Sequence, residues 1–302
     1  MNKNKVAVII ILYNRMPNEK LICCIEQLKK QTLQPQIIVC EQNDFNDANF
    51  EQYCLNNSVV HIKAKTDEKW QGNMGYLKNL GIISAEADYL YFLDSDILLM
   101  VDNYLEQIVN FAIENDEIIF VHPKMLRLKG NQEGMIKDIL NNKSINIFLN
   151  HINNCFCDYN SDTGFLNFNY KEKYRFFNNL THVSISSEED KWLLNFHSGG
   201  IFVKKSLIEN LGGYSQVYYH WGMDDIDTQW KLNETYGARN IYEVFPDLYV
   251  IHFEHETLNE GTDHLKNRKI FNQRREEGLT EAINYDIQCF KKLREEVNKN
   301  VR

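Results

Sequence analysis

Two aspartates separated by one residue, Asp94 and Asp96, follow directly after a run of strand-forming apolar residues at 89–93. Buried charges are costly unless a partner compensates them, so two acids at the end of an apolar run indicate a place where a cation is held. In an open α/β sheet, the carboxyl ends of the strands are also where ligands bind. The alternative is that Asp96 caps a helix or turn in the apolar segment that follows, which is a common role of aspartate.

A second acidic cluster, Asp224, Asp225 and Asp227, follows Trp221 and Gly222. Acidic side chains in the first turn of a helix complement the helix dipole, which would be a purely structural explanation. Three carboxylates beside an aromatic residue and a glycine exceed what capping needs. A carboxylate held next to a bound substrate can accept a proton from a hydroxyl group, so this cluster is a candidate for general base catalysis.

Two histidines, His252 and His255, follow an apolar run at 248–251 and alternate with the acids Glu254 and Glu256. Neutral imidazole is a good ligand for ions of the Mn²⁺ class, and histidine combined with carboxylate makes a mixed nitrogen and oxygen site. The segment therefore predicts a divalent metal site.

The overall composition narrows the functional classes. With 302 residues, 43% hydrophobic and 25% charged, the chain has the composition of a globular protein with a full core. The net charge of -9 provides no basic field for nucleic acid, which favours metal-assisted binding of an anionic substrate. The seven cysteines lack C-x-x-C spacing, which argues against structural zinc or a disulfide framework and favours a reducing, cytoplasmic location. The apolar run at 6–12 is too short to span a bilayer and lacks a cleavage site, so neither a membrane anchor nor a signal peptide is expected.

Strand and helix patterns alternate through the first 93 residues. Continuous apolar runs typical of buried parallel strands alternate with segments of helical periodicity. The predicted strands are 6–12, 36–40, 59–62 and 89–93, and the predicted helices are 17–31, 50–55 and 72–83. This alternation predicts a Rossmann-like, three-layer α/β fold with a central, mostly parallel sheet. The chain has neither G-x-G-x-x-G nor a Walker A loop, which excludes the usual phosphate cradles of dinucleotide enzymes and P-loop kinases.

The remaining segments are less regular. Residues 130–190 are rich in asparagine and aromatic residues and lack sustained periodicity. They indicate an insertion that lines an acceptor site, forms a subunit contact or packs as its own small core.

Residues 264–302 look helical, with ten lysines and arginines against six acids, which gives this segment a net charge of +4. Contact with an anionic membrane is one interpretation of this tail. The interspersed acids favour the other, a solvated helix face.

An ordered set of short motifs runs along the chain. The motifs are Tyr13-Asn14-Arg15, Gly72-Asn73-Met74-Gly75, Leu77-Lys78-Asn79-Leu80-Gly81, Asp94-Ser95-Asp96, Ser198-Gly199-Gly200, Gly212-Gly213-Tyr214, the segment 221–227 and His252-Phe253-Glu254-His255. Taken together in this order, they resemble the motifs of nucleotide-sugar glycosyltransferases of the GT-A fold. The first half resembles the bacterial family-two enzymes, and the second half is similar to animal β-1,4-galactosyltransferases and polypeptide N-acetylgalactosaminyltransferases.

The resemblance implies an inverting transferase in which a divalent metal, Mn²⁺ or Mg²⁺, bridges the diphosphate of a UDP-sugar. It implies that Asp96 binds the metal and that Asp94 faces the ribose or the sugar of the donor. His255 occupies the position of the family's metal-binding histidine, while His252 stands where the galactosyltransferases have methionine.

The resemblance also assigns the acidic cluster. Asp225 matches the catalytic base, and Asp224 replaces the glutamate that precedes it in the family pattern. Trp221 and Gly222 complete the predicted acceptor site, where Trp221 either stacks on a sugar face or packs in the structure. A retaining route through a covalent intermediate stays open, because the sequence does not exclude a second carboxylate under the sugar.

Five further residues are predicted to bind the donor. Glu41 lies where the second strand meets the nucleotide edge and is expected to contact uridine. The other four belong to the matching motifs and are Tyr13, Arg15, Asn73 and Gly200.

The sequence therefore predicts a GT-A catalytic domain at 1–263 and a helical tail at 264–302. Within the domain we expect a nucleotide-binding half at 1–129, the insertion at 130–190 and an acceptor and metal half at 191–263. The predicted activity is metal-dependent, inverting transfer from UDP-galactose or UDP-N-acetylgalactosamine to a saccharide or lipid-linked saccharide in surface polysaccharide or glycoconjugate synthesis. The expected location is the cytoplasm, and peripheral contact with the inner face of the membrane is one interpretation of the basic C-terminal segment. The alternatives are a non-catalytic nucleotide or sugar-binding module and a nucleotidyltransferase of similar fold.

Overall fold

The computed structural model describes most of the chain outside the predicted insertion. The described residues are 5–14, 17–44, 46–66, 70–99, 101–115, 119–128, 136–137, 157–160, 165–168, 191–192, 195–197, 199–220, 222–245, 248–253 and 261–300. Three predicted site residues, Arg15, Trp221 and His255, lie outside these ranges, as does most of the insertion.

Strands and helices alternate through the first part of the chain, as the sequence predicts. The strands are β1 (Val6–Tyr13), β2 (Gln36–Gln42), β3 (Val60–Lys63), β4 (Tyr89–Asp94), β5 (Ile97–Leu99), β6 (Phe120–Val121), β7 (Lys124–Leu128), β8 (Cys157–Asn160), β9 (Phe165–Phe168), β10 (Lys191–Trp192), β11 (Asn195–Phe196), β12 (Phe202–Lys204), β13 (Arg239–Asn240) and β14 (Tyr249–Phe253). The helices are α1 (Glu19–Leu28), α2 (Ala48–Asn56), α3 (Met74–Ser84), α4 (Tyr104–Glu114), α5 (Lys205–Asn210), α6 (Asp224–Tyr236), α7 (Ile241–Val244), α8 (Gly261–Glu277) and α9 (Leu279–Asn300).

The central sheet has seven strands in the order β3-β2-β1-β4-β12-β6-β13. The four strands from β3 to β4 are parallel, β12 is antiparallel to both of its neighbours, and β13 is parallel to β6. This arrangement confirms the predicted α/β fold with a central, mostly parallel sheet.

Apolar side chains cover both faces of the sheet, because successive residues of a strand point to opposite sides. One cluster packs α1, α2 and α4 on the face that contains Val8 and Ile10. The other packs α3, α5 and α9 on the face that contains Ile9 and Leu90. Strand β1 is therefore buried on both faces, which explains why its sequence is a continuous apolar run rather than an alternating one.

A second sheet, in the order β11-β7-β14-β5, lies next to the carboxyl edge of the first. Strand β5 follows β4 after the two-residue turn at Ser95 and Asp96 and pairs antiparallel with β14. The segment after Asp96 is therefore a strand, so Asp96 does not cap a helix there. Within the predicted insertion, β8 and β9 form a three-stranded sheet with β10.

The C-terminal helices α8 and α9 pack against the domain and are not an isolated tail. Phe290 and Leu293 of α9 belong to the apolar core on one face of the central sheet. Asn267 and Arg274 of α8 and Asp286 of α9 are also buried. No helix among the described residues combines the length and the apolar character needed to cross a bilayer.

Helix α1 illustrates how local sequence sets an element boundary. The helix begins at Glu19 rather than at Pro17, because the Asn18 side chain accepts hydrogen bonds from the backbone N–H groups of Lys20 and Leu21, both at 3.1 Å. Asparagine is among the preferred N-cap residues.

Candidate active site

The parallel register brings three of the predicted donor-binding residues to one edge of the sheet. Tyr13 at the end of β1 lies beside Gln42 of β2, and the preceding β1 residue pairs with Glu41. On the other side of β1, Ile11 pairs with Asp94. Because parallel strands end at the same edge, Tyr13, Glu41 and Asp94 line the carboxyl edge that the fold offers to ligands.

Asp94 is both exposed and paired. Its side chain is 54% exposed, and its Oδ2 lies 2.8 Å from Nε2 of the buried His197. Partial burial disfavours the ionised carboxylate, but His197 and, more distantly, Lys78 and His252 outweigh it, so the pKa of Asp94 lies below its usual range. Burial likewise disfavours the charged imidazole, but Asp94 outweighs it and raises the pKa of His197. The pair presents a fixed carboxylate to the solvent side of the sheet edge.

Asp96 and His252 form the core of the predicted metal site. Antiparallel pairing places His252 opposite Ile97, and the Phe253 N–H donates to the Asp96 carbonyl at 2.9 Å. This register brings His252 Nε2 to 3.6 Å from Asp96 Oδ1, and both side chains are largely buried.

The donor set fits a divalent ion that also binds a substrate phosphate. Among the described residues, no group of three or more histidine, cysteine, aspartate or glutamate side chains is placed to hold a metal ion. Asp96 and His252 could offer one oxygen and one nitrogen ligand, and His255 lies outside the described ranges. Ions bound with substrate phosphates commonly take one or two protein carboxylates, with phosphate and water completing the coordination. The chemistry of Asp96 and His252 fits an ion of this kind.

The acidic cluster is organised by a lysine from the other half of the domain. Lys78, a buried residue of α3, donates to Asp224 Oδ2 at 2.7 Å and to Asp225 Oδ1 at 2.6 Å. Its ammonium also lies 4.6 Å from the centre of the Tyr214 ring. Burial disfavours the charged ammonium, but Asp224 and Asp225 outweigh it and hold the pKa of Lys78 well above its usual value.

Asp225 has the ionisation expected of a base that works near neutral pH. Burial raises the pKa of its carboxyl to about 6, with Asp224 and Asp94 adding to the rise and Lys78 opposing it. The side chain is 20% exposed, so it remains accessible from the solvent. A pKa close to the working pH is a property of efficient general bases.

Two glycines, Gly199 and Gly200, permit close packing around His197. A Cβ added at Gly199 would lie 3.1 Å from His197 Nε2 and 3.5 Å from Asp225 Oδ2, so Gly199 lies between the histidine and the candidate base. A Cβ at Gly200 would lie 2.6 Å from the ring of Pro123. Gly200 therefore permits close packing behind the site, and only its backbone is available to a donor.

Glu41 and Tyr13 have partners within the protein. Glu41 is buried, with Oε2 2.5 Å from His61 Nε2 and Oε1 2.9 Å from Asn43 Nδ2. Burial would raise its pKa, but the hydrogen bonds to His61 and Asn43 prevail and the pKa is lowered. Tyr13 is half-buried, with its hydroxyl 3.5 Å from Nδ1 of His220.

Asn73 has a supporting position rather than one exposed to a ligand. It is fully buried as the N-cap of α3, where Oδ1 accepts from the Tyr76 N–H and Nδ2 donates to the Gln216 carbonyl, both at 2.8 Å. Gly222 has φ +95°, a conformation that favours glycine, and lies against His264 of α8. Both residues shape the loops on either side of the site.

Sequence reasoning missed three residues that organise the site. Lys78 interrupts an apolar helical segment, and a lysine in a buried pattern signals a charged partner. His197 lies two residues before the glycine pair Gly199-Gly200 but has no local signal that links it to Asp94. Gln42 holds the turn before α3: its Nε2 donates to the carbonyls of Lys65 and Trp70, and its Oε1 accepts from the Gly72 N–H.

Comparison with known proteins yields several matches. The sequence pattern of glycosyl transferase family 2 matches residues 7–208. An uncharacterized glycosyltransferase of Rickettsia bellii (strain RML369-C) is 31% identical over 155 residues, which cover 50% of this chain and 21% of that protein. The poly(ribitol-phosphate) β-N-acetylglucosaminyltransferase TarP of Staphylococcus aureus (strain N315) is 28% identical over 120 residues, which cover 39% of this chain and 36% of TarP. Each match thus spans well under half of the relative's own length.

A solved structure supports the fold assignment. The crystal structure of GalNAc-T7 with UDP, GalNAc and Mn²⁺ aligns with a TM-score of 0.55 at 14% identity, covering 90% of this chain and 48% of that chain. The structural match extends beyond the family pattern, which ends before the acidic cluster that begins at Asp224. The alternating strands and helices, the acidic pair at the carboxyl edge and the family match together show that the chain belongs to glycosyl transferase family 2 and has the GT-A fold.

Proposed function

We propose that this protein is a metal-dependent, inverting glycosyltransferase that moves a hexose or N-acetylhexosamine from a UDP-sugar to a saccharide acceptor. The observation on which the proposal rests is the position of Asp225. Its carboxyl, with a pKa of about 6, lies beside the Asp94–His197 pair at the carboxyl edge of the sheet. In the same part of the fold, Asp96 Oδ1 and His252 Nε2 lie 3.6 Å apart, and we propose both as metal ligands.

The donor would bind along the edge formed by β1, β2 and β4. Glu41, Tyr13 and Asp94 lie where uridine, ribose and sugar would meet these strands, and Arg15 is proposed to assist phosphate binding. Asp96, His252 and His255 would hold Mn²⁺ or Mg²⁺, which when bound offsets the negative charge that develops on the departing diphosphate.

Asp225 would act on the acceptor. Its ionised carboxylate takes the proton of the acceptor hydroxyl as the oxygen forms a bond to the anomeric carbon and the bond from that carbon to the diphosphate breaks. One base on the side opposite the leaving group is sufficient for inversion. Asp224 and Lys78 orient Asp225, and Trp221 and Gly222 are proposed to form the acceptor side of the site.

N-acetylhexosamine donors are supported by the comparisons. TarP is named for transfer of N-acetylglucosamine, and GalNAc-T7 was crystallised with GalNAc, UDP and Mn²⁺. We therefore place UDP-N-acetylgalactosamine and UDP-N-acetylglucosamine before UDP-galactose. We propose a saccharide or lipid-linked saccharide acceptor in surface polysaccharide or glycoconjugate synthesis, with the reaction on the cytoplasmic side of the membrane.

UDP release from a panel of UDP-sugars, measured with and without Mn²⁺, tests the proposal. We expect at least one donor to release UDP only with the metal present, and we expect Asp96→Ala and Asp225→Asn each to reduce the rate at least about 100-fold. Glu114→Gln, on the exposed end of α4, is the matched control and should keep the rate of the unmodified protein. Calorimetric donor binding without turnover would instead indicate a non-catalytic binding module.

A further inference from the structure

The loop at 219–223 connects the donor side of the domain to the candidate base. It contains the predicted acceptor residues Trp221 and Gly222, and α6 begins directly after it with Asp224 and Asp225. The loop has an unusual backbone: His220, Gly222 and Met223 all have positive φ, at 58°, 95° and 72°. Residues other than glycine rarely adopt this conformation, so surrounding contacts must hold the loop in place.

One side chain of the C-terminal segment supplies such contacts. Asn267 of α8 is buried, and its amide spans both sides of position 221. Its Nδ2 donates to the carbonyl of Tyr219 at 2.8 Å and to that of Gly222 at 3.2 Å, and its Oδ1 lies 3.4 Å from the Tyr219 N–H. One helical turn earlier, His264 packs against Gly222, where a Cβ would lie 2.8 Å from the imidazole.

Helix α8 is itself fixed to the helix that carries the base. Arg274 of α8 donates to Asp227 of α6 at 2.9 Å and to Asp286 of α9 at 2.7 Å. Lys231 of α6 completes the group, with Nζ 2.5 Å from Asp286 Oδ2 and 3.6 Å from Asp227 Oδ2. These four charges are buried and balance one another, so one buried ion group joins α6, α8 and α9. Asn267 therefore contacts the loop from a helix that is tied directly to the helix of Asp225.

We propose that Asn267 is a positioning residue of the transferase site, which fixes the described loop residues 219–220 and 222–223 so that Asp225 is held in place relative to the donor. The inference rests on the proposed function and extends the catalytic unit to the C-terminal helices. Burial and the three hydrogen bonds of its amide distinguish Asn267 from the exposed Asn272 of the same helix.

The test compares Asn267→Ala with Asn272→Ala, a matched change on the exposed face of the same helix. UDP release from the best UDP-sugar with Mn²⁺ gives kcat and the KM of the donor, and hydrogen–deuterium exchange reports on the backbone. For Asn267→Ala we expect kcat to fall about 10- to 100-fold, since a displacement of about 1 Å has an effect of that order. We expect the donor KM to stay within about twofold, because the contacts of the donor edge are intact, and exchange to rise at 219–224 alone. Asn272→Ala should match the unmodified protein.

Two results would overturn the inference. One is an unchanged kcat in Asn267→Ala, and the other is faster exchange throughout the chain with parallel losses in kcat and donor affinity. If the alanine variant does not fold, Asn267→Asp keeps the shape of the side chain but not its two donated hydrogen bonds, and the same criteria apply to it. If the unmodified protein releases UDP from no donor, the proposed function fails by itself. In that case, faster hydrogen–deuterium exchange confined to 219–224 in Asn267→Ala would still support the loop-fixing role of Asn267. Unchanged exchange at 219–224 would overturn that role.

Discussion

Replacement of Lys78 by methionine should shift the pH dependence of the reaction to higher pH. The change removes the ammonium that lies 2.6 Å from Asp225 Oδ1 and 2.7 Å from Asp224 Oδ2, while it keeps an unbranched side chain of similar length. The other groups that influence Asp225 are Asp224 on its own helix, Asp94 at the end of β4 and, near Gly199, His197. Without Lys78, Asp94 and Asp224 repel the ionised form of Asp225, and His197 is the group named here that still opposes them.

The size of the shift follows from the electrostatics of the pair. Two unit charges about 4 Å apart interact by about 4 kcal/mol at an effective dielectric constant of about 20, which corresponds to about three pKa units. Because the Lys78 ammonium is shared between Asp224 and Asp225, only part of this change is expected to fall on Asp225, about one to two units above its pKa of about 6. The ionised fraction at pH 7 would then fall from roughly nine tenths to between about one half and one tenth.

The assay is kcat/KM for UDP release between pH 5 and 9.5 with saturating Mn²⁺. A base works in its ionised form, so activity should fall on the acidic side, and the midpoint of that fall should move upward by about one to two units in Lys78→Met. Raising the pH to 9 should restore part of the lost rate. Lys78→Arg keeps the charge and should retain the original midpoint, and Lys266→Met changes an exposed lysine as a control. A pH-independent loss of rate with an unmoved midpoint would refute the electrostatic role of Lys78.

Three further predictions concern the metal, the stability and the surface. Because His252 is one of the two described residues that we propose as metal ligands, His252→Ala should raise the Mn²⁺ concentration for half-maximal UDP release at least about tenfold; an unchanged requirement would remove His252 from the proposed site. Arg274→Met leaves Asp227 and Asp286 with one cation, Lys231, among their described contacts. It should therefore lower the free energy of unfolding by about 3–5 kcal/mol in urea denaturation, and a loss below about 1 kcal/mol would contradict the buried ion group. If the basic residues of α8 and α9 form a solvated face, the protein should not sediment with anionic liposomes at low salt. Sedimentation at low salt that is abolished by charge reversal on α9 would instead indicate membrane contact.

The sequence determined the scaffold and the chemical types of the site residues. The apolar runs of β1, β2 and β4 identify buried parallel strands, because burial on both faces leaves no polar position within the strand. The acids at the end of β4 mark the ligand edge of the sheet, because Asp94 is the first residue of this strand that is exposed to solvent. The hydrophobic periodicity behind these predictions is a local property and can be read without knowledge of the rest of the chain.

The tertiary structure alone decided which of these groups meet. Lys78 reaches Asp225 across 147 positions of sequence, and His197 reaches Asp94 across 103. Neither pairing has a local signal, because each depends on how helices pack and on which strand lies beside β4. His252 stands next to Asp96 through the antiparallel register of β5 and β14, and a shift of one residue would turn its side chain to the opposite face. The pKa of Asp225 likewise follows from charges that distant segments bring to it, so the sequence could nominate the base but only the fold could set its ionisation.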